Sequence, residues 1–312
     1  MKKFRLLNTM GIAAFTLLMA ASCENGNKEF GYDGARTVYF SYPGYERTVE
    51  LGEDQEADLT DDNNHVFTIK ATYGGGYNNG SDITVNYVID PSLCEGYHYD
   101  VMPSEYYTVE NPNQFTIAKG NLTGGVRVKL ADSFFDDEKS YTSGYLIPVK
   151  LVSAQGVDQI LESQSTTFCL VKYINPWTAT YLRKGQDVIN GQIVRRSYPY
   201  IENAEVIKVV TKGLNKSQVT VAIKDTKGVA HNVNLLLTFN GDDCTVSSNT
   251  QGAEVSGSGK FVKADQLMGE YKRNALYLNY TLKTTELGTV QTTDTLVVRN
   301  RGVQKVTFTP EK

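Results

Sequence analysis

Three histidines, four cysteines and 35 acidic residues are the groups from which a catalytic or metal site would be drawn. His65, His98 and His231 stand far apart, none within four residues of another and none sharing a segment with a cysteine. Zinc ligation and thiol–imidazole chemistry therefore have no local signal. Ser-Gly-Ser-Gly at 256–259 lacks the spacing of a nucleophile elbow. The glycine run from Gly74 to Gly80 fails both the dinucleotide and the phosphate-loop spacings. Carboxylates are plentiful enough for a glycosidase pair, whose partners meet in space and not in sequence. A hydrolytic β/α barrel needs about 250 residues of alternating strands and helices, and the helical pattern is absent. The chain reads as non-catalytic and without a cofactor. Two acidic clusters are weak calcium candidates because a hard cation prefers oxygen ligands. They are Asp58/Asp61/Asp62/Asn63 and Asp132/Asp136/Asp137/Glu138, and neither follows the EF-hand pattern.

Aromatic side chains give the better lead. Twenty tyrosines are present, several in segments that read as loops. Tyr77 follows the triple glycine, Tyr97 and Tyr99 flank His98, and Tyr198 and Tyr200 flank Pro199 after Arg195-Arg196. Trp177, the single tryptophan, opens the second half. A sugar ring has an apolar C–H face and a rim of hydroxyls. An aromatic face with a polar tip, supported by Asn, Asp, Gln or Arg, suits both. These six residues are the glycan-binding candidates.

One cysteine has a reaction written around it. Lys2, Lys3 and Arg5 precede an apolar run from Gly11 to Ala21, and Ser22-Cys23 follows. A basic head, a short apolar core and small residues before the cut make a secretory signal, too short to span a bilayer. A cysteine at that point is the acceptor of a diacylglycerol on its thiol. Ala20 departs from the usual leucine three places earlier. Residues 1–22 are thus expected as signal peptide and 23–33 as a polar, glycine-bearing tether. Cys94, Cys169 and Cys244 remain, without CxxC spacing. Cys169 lies in an apolar run and reads as a buried small hydrophobe. A Cys94–Cys169 disulfide is an open option outside the cytoplasm.

The elements that carry these residues are strands. Residues 23–174 hold 10 Lys/Arg against 23 Asp/Glu, whereas 175–312 hold 18 against 12. This asymmetry favours two domains. The first half is too acidic for nucleic acid, and the second lacks clustered charge. Val66-Phe67-Thr68-Ile69-Lys70-Ala71 and Val126-Arg127-Val128-Lys129-Leu130 alternate cleanly, with one face buried and one wet. Nine short strands across 34–174 predict an antiparallel sandwich of immunoglobulin type. Asn175-Pro176 marks the boundary. Strands near 192–196, 204–212, 218–224, 233–239, 253–262, 276–284, 292–299 and 304–309 predict an up-and-down barrel or a second sandwich over 175–312. A short helix is expected over 264–268, and a tight hairpin at Asn300-Arg301-Gly302.

Several segments together resemble a known family. They are Thr37-Val38-Tyr39-Phe40, Thr166-Thr167-Phe168-Cys169-Leu170-Val171-Lys172-Tyr173, Asn175-Pro176-Trp177, Leu276-Tyr277-Leu278-Asn279-Tyr280, and the run from Thr295 to Gly302. With the lipid-acceptor cysteine they resemble two-domain outer-membrane lipoproteins of Bacteroidetes. Those proteins carry an N-terminal domain of unknown function and a C-terminal lipocalin-like domain. The resemblance implies an all-β chain with a lipocalin-like barrel, surface display on the outer membrane, and companionship with SusC/SusD-type glycan uptake systems. It supplies no binding residues. The expected function is glycan binding by a lipid-anchored, cell-surface protein within a polysaccharide utilisation system. The alternatives are a fimbrial or envelope-complex adapter and a lipocalin-type small-ligand carrier. Anchoring has a direct check: Cys23→Ser should move the protein from the membrane pellet to the soluble fraction on fractionation, and unchanged partition would refute it.

Overall fold

The computed structural model describes residues 34–311 apart from position 226. The expected signal peptide 1–22, the lipid-acceptor Cys23 and the tether to residue 33 lie outside the described residues. Among the described residues, no helix is long and apolar enough to cross a membrane.

Two sheets face each other in the first part. One has the order β5 (Tyr107–Val109), β7 (Thr123–Leu130), β3 (Val66–Gly74), β1 (Thr37–Tyr39), β9 (Gln159–Ile160). The other runs β20 (Thr307–Phe308), β2 (Gly44–Glu50), β10 (Thr166–Ile174), β8 (Tyr145–Gln155), β4 (Ile83–Ile89), β6 (Gln114–Ile117). The expected alternation is realised: Phe67, Ile69 and Ala71 of β3 point into the core, Thr68, Lys70 and Thr72 outward. Val126, Val128 and Leu130 of β7 meet them with Ile147, Val149 and Val171 of the opposite sheet. This is the immunoglobulin-like sandwich. Two pairings are parallel instead of antiparallel, β2 with β10 and β1 with β9. The first strands lie beside strands late in the sandwich, and such pairs are joined by long crossings, not hairpins.

Strands β8 and β10 are buried on both faces. Their outward residues Leu146, Phe168 and Leu170 form a second cluster with Cys94, Tyr97, Tyr99 and Phe308. The segment that follows β4 has folded back over the sheet and covers it.

The second part is an eight-stranded barrel. β11 (Ala179–Ile189), β13 (Glu205–Gly213), β14 (Lys216–Lys224), β15 (Ala230–Asn240), β16 (Asp243–Ser248), β17 (Glu254–Met268), β18 (Tyr271–Thr284) and β19 (Gly288–Asn300) pair antiparallel in sequence. β19 closes the barrel on β11, with residues 290–300 against 180–189. A ninth strand, β12 (Gln192–Arg196), pairs with the distal part of β11. Inward residues from all eight wall strands, including Tyr181, Val221, Leu235, Phe261, Leu276 and Leu296, fill the interior. Trp177 closes the end nearest the sandwich, stacked on Phe239 at 3.7 Å between ring centroids.

Three local expectations are corrected. Residues 264–268 are not helical but finish β17. The register slips between Val262 and Gln266, and Ala264 takes φ +47° with its N–H on Asn274 Oδ1. This is a β-bulge, which absorbs extra residues that a helical reading takes for a turn. Asn300-Arg301-Gly302 does not make a hairpin. Gly302 has the positive φ of +74°, but the chain leaves the barrel there, and β20 pairs with β2 of the sandwich. Cys94, Cys169 and Cys244 are all buried thiols, so Cys94–Cys169 is not a disulfide. Burial pushes the Cys169 thiol up to about 12, in keeping with its role as packing.

Arg301 ties the two parts together. Its guanidinium is buried and donates to the carbonyls of Leu51, Asn175 and Pro176 at 3.0–3.1 Å. Nearby, the buried amide of Asn175 donates to Gly213 O and Lys216 O, bracing the β13–β14 turn. Arg301→Met should strand buried carbonyls and lower stability by about 2–4 kcal/mol, read as a fall in denaturation midpoint. An unchanged midpoint would show that the junction does not depend on this side chain.

Candidate functional site

The inward face of β11 reads Tyr181, Arg183, Gly185, Asp187, Ile189, so alternation alone places a cation and a carboxylate inside the barrel. Facing them on β19 are Thr292 and Asp294. Arg183, Asp187 and Asp294 are each fully buried. Arg183 grips Asp294 with two parallel bonds, Nε to Oδ1 at 3.1 Å and Nη2 to Oδ2 at 3.0 Å. Its Nη1 donates to Ala222 O at 3.0 Å and to Glu205 Oε2 at 3.3 Å. Arg196, delivered by β12, donates to Asp294 Oδ1 at 2.7 Å and to Asp187. Thr292 and Tyr280 hydroxyls complete the carboxylates at 2.8 and 3.1 Å. Gly185 is required between the two charged positions. It has φ +149°, and a Cβ there would stand 2.1 Å from Thr293 O and 3.0 Å from Asp294 Oδ1.

Burial by itself would lower the pKa of both guanidiniums, but Asp294 outweighs it and holds Arg183 and Arg196 above their ordinary value. Burial beside Asp294 pushes the Tyr280 hydroxyl far up, so it stays a neutral donor. Removing charges from water costs several kcal/mol per ion, and only full pairing offsets it.

The network sits where the wall is incomplete. β13 pairs with β14 only over residues 209–213 and 216–219. Beyond that, β13 follows β11, and the β14 edge up to Lys224 has no β13 partner. A cavity of about 360 Å³ occupies the gap, lined by Asp187, Arg195, Arg196, Tyr198, Glu205 and Lys224 among others. Arg183 donates to the exposed strand edge at Ala222 O, while Arg195 and Lys224 have no ion pair among the described residues.

The six aromatic candidates fare differently. Tyr198 lines this slit, and Tyr200, two residues on, is 72% exposed. Tyr77 is 79% exposed on the loop before β4, whereas Tyr97 and Tyr99 follow β4, at the opposite end of the sandwich. Tyr97 packs edge-on against Phe168 and Tyr99 stacks on Phe308, each at 5.5 Å. They cover the sheet instead of projecting as a platform, because the chain after β4 needs apolar residues to seal β8 and β10. Trp177 is likewise a correction: it is 7% exposed, and Tyr181 donates to its carbonyl at 2.7 Å. It packs the barrel end and presents no face to a sugar.

The acidic clusters are spent on structure. Asp62 takes Arg47 and the Glu50 N–H, Asp61 faces Arg127, and Asp58 caps Thr60. Asp137 accepts from Tyr106 and Tyr145, and these hydroxyls hold its carboxyl below the usual range. Asp132 is exposed beside His65. Among the described residues, no group of three His, Cys, Asp or Glu is placed to hold a metal. Asp132, Asp136 and Asp137 are not brought together into such a group.

The charged network has no local sequence signal. Glycine and charged residues interrupt the apolar alternation of β11, so Arg183 and Asp187, four apart, do not stand out as sharing an inward face. Asp294 between Thr292 and Leu296 carried the same alternation.

The fold and site define an all-β protein of two parts, a sandwich and an eight-stranded barrel with a polar slit in its wall. Comparison with known proteins gives the same division. A family model for an N-terminal domain matches residues 32–158, and one described as Domain of unknown function (DUF5627) matches 176–302. A crystal structure from Bacteroides ovatus, described as a structural-genomics protein of unknown function, is similar at 37% identity and a TM-score of 0.80. The alignment covers 88% of this chain and 98% of the relative, and the chain belongs to the same family. No curated protein matches it.

Asp294→Leu would leave Arg183 and Arg196 buried without their shared carboxylate. It should cost about 3–5 kcal/mol, whereas Arg183→Met with Asp294→Leu should cost less than the two single changes summed. Additive losses in chemical denaturation would contradict a coupled network.

Proposed function

We propose that this protein is a non-catalytic, lipid-anchored outer-membrane protein that binds glycan at the slit in its barrel wall. Its setting is a polysaccharide utilisation system of a Bacteroidetes cell, beside a SusC/SusD-type complex. The observation that carries the reading is the coincidence of Tyr198 with the slit cavity and of exposed Tyr200 beside it. An aromatic lip, free Arg195 and Lys224 donors and the half-exposed Glu205 acceptor match the apolar face and hydroxyl rim of a sugar. The relative's source in Bacteroides ovatus and the signal-like N-terminus support the setting.

The carboxylates beneath the slit are tied to guanidiniums. Such pairing fixes charge and offers no spare proton donor for glycoside cleavage, which supports binding over catalysis. The barrel interior is packed with side chains, which favours surface recognition over carriage of an apolar ligand.

The test is affinity electrophoresis of the full chain in detergent against plant, fungal and host polysaccharides, followed by titration. Tyr198→Ala with Tyr200→Ala should weaken affinity about tenfold or more and leave the melting temperature unchanged. Retardation by no polymer would overturn glycan binding and favour an adapter role. Undiminished binding by the variant would move the site elsewhere.

A further inference from the structure

The outer face of the sandwich carries a second groove, and its chemistry runs against that of its surroundings. Residues 23–174 contain more than twice as many acidic as basic side chains, yet no carboxylate lines this groove of about 320 Å³. Its floor is the wet face of β3, the central strand of its sheet, with Thr68, Lys70 and Thr72 in successive outward positions. Thr123 of β7 stands opposite Thr72. The cross-strand neighbour of Lys70 is Gly125, which has no side chain to fill the space beside it. A Cβ there would lie 2.1 Å from Ile69 O, so the two backbones require glycine, and the open space at Gly125 belongs to a neighbouring cavity that Glu110 and Arg127 also line.

The wall is supplied from both ends of the chain. Tyr42 comes from the turn between β1 and β2, and Lys305 from the segment that returns from the barrel to the sandwich. The Lys305 ammonium lies 4.1 Å from the centre of the Tyr42 ring and donates to its hydroxyl at 2.9 Å. Ser41 and Thr72 hydroxyls bond each other at 2.8 Å, and Thr167 donates to Tyr42 O at 2.8 Å, which pins the turn. Lys305 is thereby held over the groove with N–H donors to spare. Lys70 has no ion pair, and Thr68 and Thr123 have no side-chain hydrogen bond, among the described residues.

We infer that this groove is a second binding site, for a sugar ring bearing a sulfate or a carboxylate. Two ammonium groups without competing carboxylates suit the anion, and one of them is already ordered, which reduces the entropy lost on binding. The threonine hydroxyls, which both donate and accept, suit the ring hydroxyls. A bare inorganic anion would leave them unused. The inference shares the ligand class of the slit but not its residues, so each fails through its own variant.

The test is calorimetric titration of the full chain in detergent with a sulfated carrageenan oligosaccharide, which bears no carboxylate, an oligogalacturonate and neutral cellohexaose. Lys70→Ala with Lys305→Ala should weaken the anionic ligand about tenfold or more, while Tyr198→Ala with Tyr200→Ala should leave it unchanged. Which of the two anionic probes binds more tightly tells sulfate from carboxylate. Thr68→Val with Thr123→Val, both exposed strand positions that valine fits, gives a second variant that keeps the fold and should also weaken binding. Anionic binding that survives both groove variants overturns the site, as does failure of both anionic probes to bind. Neutral cellohexaose bound as tightly as they are, with equal loss in the lysine variant, overturns the ligand class.

Discussion

The arrangement of this protein depends on one buried guanidinium. Arg301 takes in the carbonyl of Leu51, where β2 ends, and those of Asn175 and Pro176, where the sandwich hands over to the barrel. It does so from the end of β19, the strand that closes the barrel. Burial lowers its pKa, while Glu50 pulls it back up. Around it the loop after β2 reaches the barrel through Glu53 to Lys263 and Glu56 to Arg273. These exposed pairs add little by themselves. The buried cation converts a flexible linkage into a defined junction and sends the chain back to the sandwich.

Barrel and sandwich solve the same problem differently. The sandwich buries apolar faces between two sheets and, where a sheet would be left bare, seals it with the segment carrying Cys94, Tyr97 and Tyr99. The barrel closes on itself and has no outer layer to recruit, so its irregularity appears in the wall. β13 leaves β14 to stay with β11, and the resulting gap is held open by ion pairs in place of a ladder. Apolar side chains in that position would collapse across the opening. A paired network holds its shape, because each charge loses several partners if it moves.

Much of the fold was legible in the sequence because period-two alternation survives wherever one face is wet. β12 has the predicted limits, and β3 and β7 show the expected inward and outward faces. Legibility failed where alternation was interrupted. β11 carries glycine and three charged residues, β16 is short and polar, and the bulge at Ala264 looks helical one residue at a time. Of the proposed site, half is legible in the sequence: Tyr198 and Tyr200 stand out by composition and loop position. Tyr97, Tyr99 and Trp177 show why that reasoning overreaches, since an aromatic in a loop also covers a sheet or plugs a barrel. The ionic network and the groove on β3 join residues more than a hundred positions apart, which no local pattern reveals.

The pairing of β20 with β2 has a consequence for how the chain is made. The barrel is topologically an insertion between the tenth strand of the sandwich and its last, so synthesis delivers the whole barrel before the sandwich is finished. Until Thr307 and Phe308 are free, the outer edge of β2 along Gly44 and Tyr45 stays an open template, and Tyr99 lacks its Phe308 cover. Open edges recruit other chains. The folding nascent protein therefore leaves this edge of β2 uncovered while the whole barrel is made.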